Sequence, residues 1–236
     1  MENKALLKDC CDQMGVSLTE SQLEQFMTYL SLLLEWNEKM NLTAITEHRD
    51  VVLKHFADCL SLIPHVEWKE GMQVIDVGTG AGFPGMVLKI ARPDINLTLL
   101  DGLNKRLIFL ADVLEKTGLT AELVHARAEE GGKNVKYREQ FDFSCARAVA
   151  NLPVLSEYCI PFVKKGGYFV ALKGATASEE AQNALNAYKI LGCEKPTIIC
   201  ETLTGNEKRA FVIAKKISQT PTKYPRHGNK ISKSAL

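Results

Sequence analysis

Near the N-terminus apolar residues recur at helical spacing, with Leu23, Phe26, Met27, Leu30, Leu33 and Leu34 forming one stripe. The spacing predicts helices over 4–14, 19–38 and 48–63, the last stopping before Pro64. Thr19 and Gln22, three positions apart, make a capping box for the second. From residue 72 the pattern switches to short apolar runs alternating with helical segments. Strands are expected near 72–77, 95–101, 121–125, 141–147, 166–173, 195–203 and 208–216. That alternation implies a seven-stranded, mostly parallel α/β sheet of Rossmann-like type with helices on both faces. The last two strands flank Thr204-Gly205-Asn206 and read as a hairpin, so one of them is antiparallel. Three parts follow: a helical arm over 1–65, an α/β core over 66–218, and a basic, mobile tail over 219–236 that lacks apolar periodicity. The arm has no glycine loop of its own and reads as a lid or substrate-side module.

Composition sharpens this picture in three respects. With 236 residues and 46% hydrophobic content, the chain can bury a sizeable core and is not disordered. The net charge is only +1, yet between residues 204 and 233 eight lysines and arginines face the single acid Glu207. Such a run fits either a polyanionic partner or an ordinary solvated face. Seven scattered cysteines without a C-x-x-C pair give neither a disulfide framework nor a zinc site, so no metal is expected. The N-terminus lacks an apolar leader and no run is long enough to span a bilayer, so a cytoplasmic protein without a membrane partner is expected. Nothing sets the oligomeric state, for which a monomer is the favoured expectation.

The candidate chemistry begins at Val74-Ile75-Asp76-Val77-Gly78-Thr79-Gly80-Ala81-Gly82, with Leu99-Leu100-Asp101 closing the next strand. Glycines at every second position let the backbone turn off the strand and let a ligand approach it. Asp101 is placed to accept hydrogen bonds from ribose hydroxyls, a surface aspartate being the plainer reading. A dinucleotide fingerprint would need glycine at the sixth place, where Phe83 stands, which leaves a dehydrogenase as a minor reading. No Gly-Lys-Ser/Thr follows to make a P-loop. The order acid, one residue, Gly-x-Gly-x-Gly resembles the S-adenosylmethionine loop of Rossmann-like methyltransferases. Asp76 either orients this loop and the amino-acid end of the cofactor or caps the helix beginning near Pro84. After the third strand, Ala128 and Glu129 can meet an adenine. After the fourth, Arg147 faces cofactor or substrate, or else serves as a structural ion-pair partner.

Substrate class is addressed by the same segment. Arg147-Ala148-Val149 stands where amine-methylating enzymes carry Asn/Asp-Pro-Pro-aromatic, and Asn151-Leu152-Pro153 is a poor copy of it. Cys145 lacks the preceding proline of a cytosine-C5 nucleophile and reads as core. A guanine N7 carries no proton, so its methylation needs alignment and not a general base.

With these residues in view, the chain resembles the ribosomal small-subunit methyltransferase G family, also called glucose-inhibited division protein B. The resemblance rests on Trp36-Asn37-Glu38-Lys39-Met40-Asn41-Leu42-Thr43, His55-Phe56-Ala57-Asp58-Cys59-Leu60, Gly80-Ala81-Gly82-Phe83-Pro84-Gly85, Ala146-Arg147-Ala148-Val149-Ala150, Leu172-Lys173-Gly174 and Lys223-Tyr224-Pro225-Arg226. It implies a class I S-adenosylmethionine-dependent methyltransferase fold and N7 methylation of one guanosine in 16S ribosomal RNA, with that RNA or the small subunit as partner. It also implies a cofactor pocket of Gly78, Phe83, Asp101, Gly102, Leu103, Ala128, Glu129 and Arg147, to which the reading of the loop itself adds Asp76, Gly80 and Gly82. Arg147 and Lys173 are the candidates for catalysis, with Lys173 and Asn41 on the RNA side. Cys145 stands where threonine or serine is expected, and the tail after Arg226 lacks the usual Pro- and Lys-rich ending. A methyltransferase for a small molecule or protein, or a non-catalytic RNA-binding relic, stays open at this point.

Overall fold

The computed structural model describes residues 2–203 and 207–236. It opens with α1 (Glu2–Met14) and α2 (Glu20–Met40), the latter started by the Thr19/Gln22 capping box. The expected third helix is broken up as α3 (His48–Val51), a π-helical turn Val52–Ala57 and α4 (Asp58–Leu60). Pro64 lies within a short 3-10 turn, Ile63–His65, instead of beyond a helix end.

The core then alternates β1 (Gln73–Val77), α5 (Gly85–Ala91), β2 (Asn96–Asp101), α6 (Asn104–Thr117), β3 (Glu122–His125), α7 (Ala128–Gly131), β4 (Phe141–Arg147), α8 (Leu152–Cys159), β5 (Val163–Lys173), α9 (Ala177–Asn183), α10 (Leu185–Leu191), β6 (Thr197–Leu203) and β7 (Glu207–Lys215). A last helix, α11 (Gly228–Lys233), follows. The sheet order is β3-β2-β1-β4-β5-β7-β6. All neighbours run parallel except β7, which is antiparallel to both β5 and β6. The expected turn at Thr204-Gly205-Asn206 lies outside the described residues. The order reverses direction between β1 and β4, and open parallel sheets bind ligands beyond the strand ends at such a switch point.

Side chains alternate between two buried layers, as the two-residue period requires. Val74, Phe143, Val170 and Phe211 join one cluster with Leu7, Phe26, Tyr29, Leu33 and Phe56 of the arm. Ile75, Phe169, Ala171 and Val212 join the other, beneath α8 and α10. The arm therefore forms one layer of the core, since burial of each large apolar side chain contributes about 1.5–3 kcal/mol. The Tyr29 hydroxyl, fully buried, donates to the Ala81 carbonyl in the glycine loop.

Residues 219–236, expected to be a mobile tail, are packed on the core instead. Tyr224 and Ile231 are buried. Arg138 donates to the carbonyls of Thr220 and Tyr224, both at 2.7 Å. Arg226 donates to both carboxylate oxygens of Glu157, at 2.9 Å from Nε and 2.6 Å from Nη2, and that glutamate is fully buried in α8. These anchors are single residues without periodicity, so a hydrophobic pattern gives no sign of them. The expected outcome for Arg226→Ala is a loss of about 3–5 kcal/mol, because a buried carboxylate is left unpaired. Adding Glu157→Gln should recover much of that loss in thermal melts; a double variant no more stable than Arg226→Ala would contradict the pairing.

Candidate active site

The turn leaving β1 is built from glycines at φ +70° (Gly78), +59° (Gly80) and +96° (Gly82), the left-handed region that other residues avoid. At Gly78 space is equally decisive, because a Cβ would fall 2.9 Å from Val149 Cγ2. At Gly82 a Cβ would meet the Tyr29 hydroxyl at 2.6 Å. The loop is pinned to the end of β2: Gly78 N donates to Leu100 O at 2.8 Å and Gly80 N to Asp101 Oδ2 at 2.9 Å.

This arrangement frames a crevice of about 910 Å³ at the carboxyl ends of β1, β2 and β4. Gly78, Asp101, Gly102, Leu103, Ala128 and Glu129 all line it, as do Arg106, Arg127, Val149, Tyr158, His227, Asn229 and Ser232. Asp101 is 2% exposed, and its carboxylate also accepts from Leu103 N at 2.8 Å and from Arg106 Nη1 at 3.2 Å. The charge is thus held at the crevice floor by donors that a pair of ribose hydroxyls could supplement. Volume, a floor carboxylate and a close-approach glycine together fit a nucleoside.

Asp76, Gly80 and Gly82 are not among the crevice-lining residues. Asp76 Oδ2 accepts from Thr79 Oγ1 at 2.7 Å and from Gly85 N at 2.9 Å, so this carboxylate caps α5. Its Oδ1 finds no donor among the described residues. Burial pushes its pKa up to about 6, against the pull of the Thr79 and Gly85 hydrogen bonds. Phe83 is likewise absent from the crevice: it stacks on Tyr29 with ring centres 5.6 Å apart.

Arg147 opens on a second lobe of about 460 Å³, lined also by Ile45, His55, Asp58, Lys173 and Arg209. Ala148, at φ +57°, lines both lobes and joins them. The Arg147 guanidinium lies over the Phe83 ring, 4.7 Å from its centre. It donates to Asp58 Oδ2 at 2.8 Å and to Lys54 O at 3.1 Å. Asp58 Oδ1 in turn accepts from Arg209 Nε at 2.7 Å. His55 Nδ1 lies 2.9 Å from Arg147 Nη2 and 3.1 Å from the Lys54 carbonyl; the guanidinium has only protons to offer and is the nearer group, so this nitrogen accepts and Nε2 donates to Thr43 Oγ1 at 2.9 Å. Burial, then Arg147, pushes the His55 pKa down to about 3. Lys173 lines the lobe, but its ammonium is engaged by Glu180 at 2.8 Å and by the Ala150 carbonyl at 2.6 Å. Asn41 caps α2 in the left-handed region, at φ 50°.

The model of one family, rRNA small subunit methyltransferase G, matches residues 22–210. The chain belongs to the rRNA small subunit methyltransferase G family. A member from Alkaliphilus metalliredigens is 50% identical over the full length of both chains. Another, from Clostridium perfringens, is 46% identical over 98% of each. Among solved structures, a SAM-dependent O-methyltransferase from Thermotoga maritima superposes with a TM-score of 0.50 at 16% identity, covering 80% of this chain and 72% of that one. That likeness shows the class I methyltransferase fold and nothing finer.

Several residues of the candidate site escaped sequence reasoning. His55 and Asp58 sit in a string that carried the resemblance, but Asp58 meets Arg147 across 89 residues and Arg209 across 151. No local pattern encodes such a pairing. Cys145 is fully buried, its thiol pushed well up by burial and its sulfur 3.6 Å from the Ile75 carbonyl, so it belongs to the core.

The raised pKa of Asp76 predicts a pH effect. Between about pH 4 and 6 the folded protein holds a proton that the unfolded chain has released, so this group's contribution to stability falls as pH rises through that window. Asp76→Asn does not titrate. Its stability relative to wild type should therefore improve by roughly 2–3 kcal/mol from pH 4 to pH 6.5 in scanning calorimetry. A difference that is flat with pH would show that Asp76 ionises normally.

Proposed function

We propose that the protein transfers a methyl group from S-adenosylmethionine to N7 of one guanosine in 16S ribosomal RNA, in the cytoplasm. The observation that carries the choice of atom is the second lobe's lack of a poised proton acceptor among its described residues. Asp58 accepts from two guanidinium groups, and neutral His55 accepts from Arg147 through one nitrogen and donates through the other. Exocyclic amines and hydroxyls must lose a proton when methylated, whereas guanine N7 attacks with a bare lone pair.

When bound, S-adenosylmethionine supplies a methyl group on a sulfonium, open to direct displacement. The first lobe's residues have the donor set for the rest of that molecule. Asp101 accepts from the ribose hydroxyls, and Ala128 and Glu129 meet the adenine. In the second lobe Arg147, rigid on Phe83 and Asp58, presents a planar guanidinium to base or phosphate oxygens. Arg209, held by the same carboxylate, adds a second positive group. Lys173 acts by holding the 148–150 turn that joins the lobes. Phosphate contacts from these guanidinium groups supply sequence-independent affinity and leave the choice of guanosine to RNA shape.

Incubation with labelled cofactor and 16S RNA, free and assembled, should place label on a single guanosine N7. Label entering protein or free metabolites, or another atom of the RNA, would refute the proposal. The two lobes also separate by mutation. Arg147→Ala should lower turnover by at least ~100-fold, as misaligned reactants do, with cofactor affinity nearly unchanged. Asp101→Ala should instead weaken cofactor binding by roughly 10–100-fold, the equivalent of its charge-assisted hydrogen bonds. Both effects falling on the same step would show that the lobes are wrongly assigned.

A further inference from the structure

The C-terminal segment has a place in the molecule that its sequence gives no reason to expect. The family model ends at residue 210, well before it. Yet His227, Gly228, Asn229 and Ser232 line the large crevice, across from the glycine loop's own contributions and beside Glu129. Their position is fixed from both sides, by the Arg226 ion pair with buried Glu157 and by Ile231, which is fully buried. The segment is thus a fixed wall of the crevice.

One contact gives that wall a chemical role. Gly228 opens α11, and a Cβ added there would run into Glu129 Oε1, the far end of a flexible side chain. Its φ lies outside the left-handed region, so the backbone does not demand glycine here. A side chain there would instead meet the Glu129 carboxylate, which rests against the bare α-carbon and is the group that would have to move.

We infer that α11 is part of the cofactor site, with Gly228 acting as a positioning residue that seats Glu129 and with Asn229 and Ser232 completing the wall. This rests on the reading of the crevice as the S-adenosylmethionine site. The basic character of the segment is then secondary: Arg226 is committed to Glu157, and Lys223 lies over the Tyr224 ring. The segment acts on the cofactor and not on RNA.

The test measures S-adenosylmethionine binding by calorimetry and steady-state kinetics in the full-length protein, comparing wild type, Gly228→Val, Asn229→Ala with Ser232→Ala, and Lys233→Ala. Gly228→Val should raise Kd and KM for the cofactor at least about tenfold, a shift of 1.4 kcal/mol. Its turnover at saturating cofactor and its KM for RNA should stay near wild type. The Asn229/Ser232 double variant should weaken the cofactor in the same way with an unchanged melting temperature, whereas Lys233→Ala should bind it normally. Because Gly228 works through Glu129, Gly228→Val should cost little further affinity in a Glu129→Ala background, the non-additivity expected of residues in contact. Wild-type cofactor affinity in both Gly228→Val and the double variant, or a change confined to KM for RNA, would overturn the inference. A wild-type protein that binds no S-adenosylmethionine would instead refute the underlying reading of the crevice.

Discussion

The Asp58 carboxylate is the interaction on which the active site depends. It is nearly buried, at 3% exposed, and each of its oxygens accepts from a different guanidinium, Arg147 at the end of β4 and Arg209 on β7. A buried carboxylate facing one cation roughly breaks even against desolvation, and removing a partner from such a pair is strongly destabilising. Here a single acid from the arm unites two strands that enclose the second lobe. The arm is thereby fixed to the sheet by charge at the site and by apolar packing elsewhere. Arg147 gains from this a fixed plane, with Phe83 below and Asp58, His55 and the Lys54 carbonyl along its edge.

That arrangement explains why the site has two lobes of different character. The first brings bare backbone at Gly78 and Gly102 together with the carboxylates of Asp101 and Glu129, and suits a ligand recognised by close approach. The second is cationic and enclosed by long side chains already committed to one another. Ala148, in the left-handed region where a residue with a Cβ is uncommon, sits at the join. Its neighbour Val149 packs over Gly78, so the turn after β4 and the turn after β1 are shaped against each other. The Lys173 ammonium, donating to the carbonyl of Ala150, holds the same turn from the other side. Under the proposed reaction, alignment between methyl donor and acceptor would depend on how stiffly this turn is held.

Much of the fold was legible because it rests on period and punctuation. The strands fall within a few residues of their expected bounds, Thr19 caps α2 as its spacing requires, and β7 is the antiparallel strand. The parts that were not legible depend on single contacts distant in sequence. Arg226 with Glu157 turned an expected tail into a packed segment, across 69 residues. The π-turn at Val52–Ala57 carries no distinctive composition, yet it brings Lys54, His55 and Asp58 to the site. Spacing places Gly78 and Asp101 at the ends of the first two strands, and both line the crevice there. Spacing leaves both a cofactor role and a helix cap open for Asp76, and the family resemblance implies a pocket place for Phe83; their side chains point into α5 and the arm.

Phe83 shows why a motif and a pocket need not coincide. The glycines before it serve the backbone, and the turn they make throws the next side chain behind the loop. There it meets Tyr29, whose hydroxyl is bonded to the loop carbonyl at Ala81, and Phe56 and His55 of the arm. A glycine in its place would leave a hole beneath Arg147 and remove the ring face that the guanidinium covers, an interaction contributing about 0.5–2 kcal/mol. The same residue that sets this loop apart from a dinucleotide fingerprint thus supports Arg147 at the second lobe. Its effect on chemistry passes through Arg147, which makes the specificity of the Gly-Phe-Pro-Gly string a matter of lobe two even though its glycines belong to lobe one.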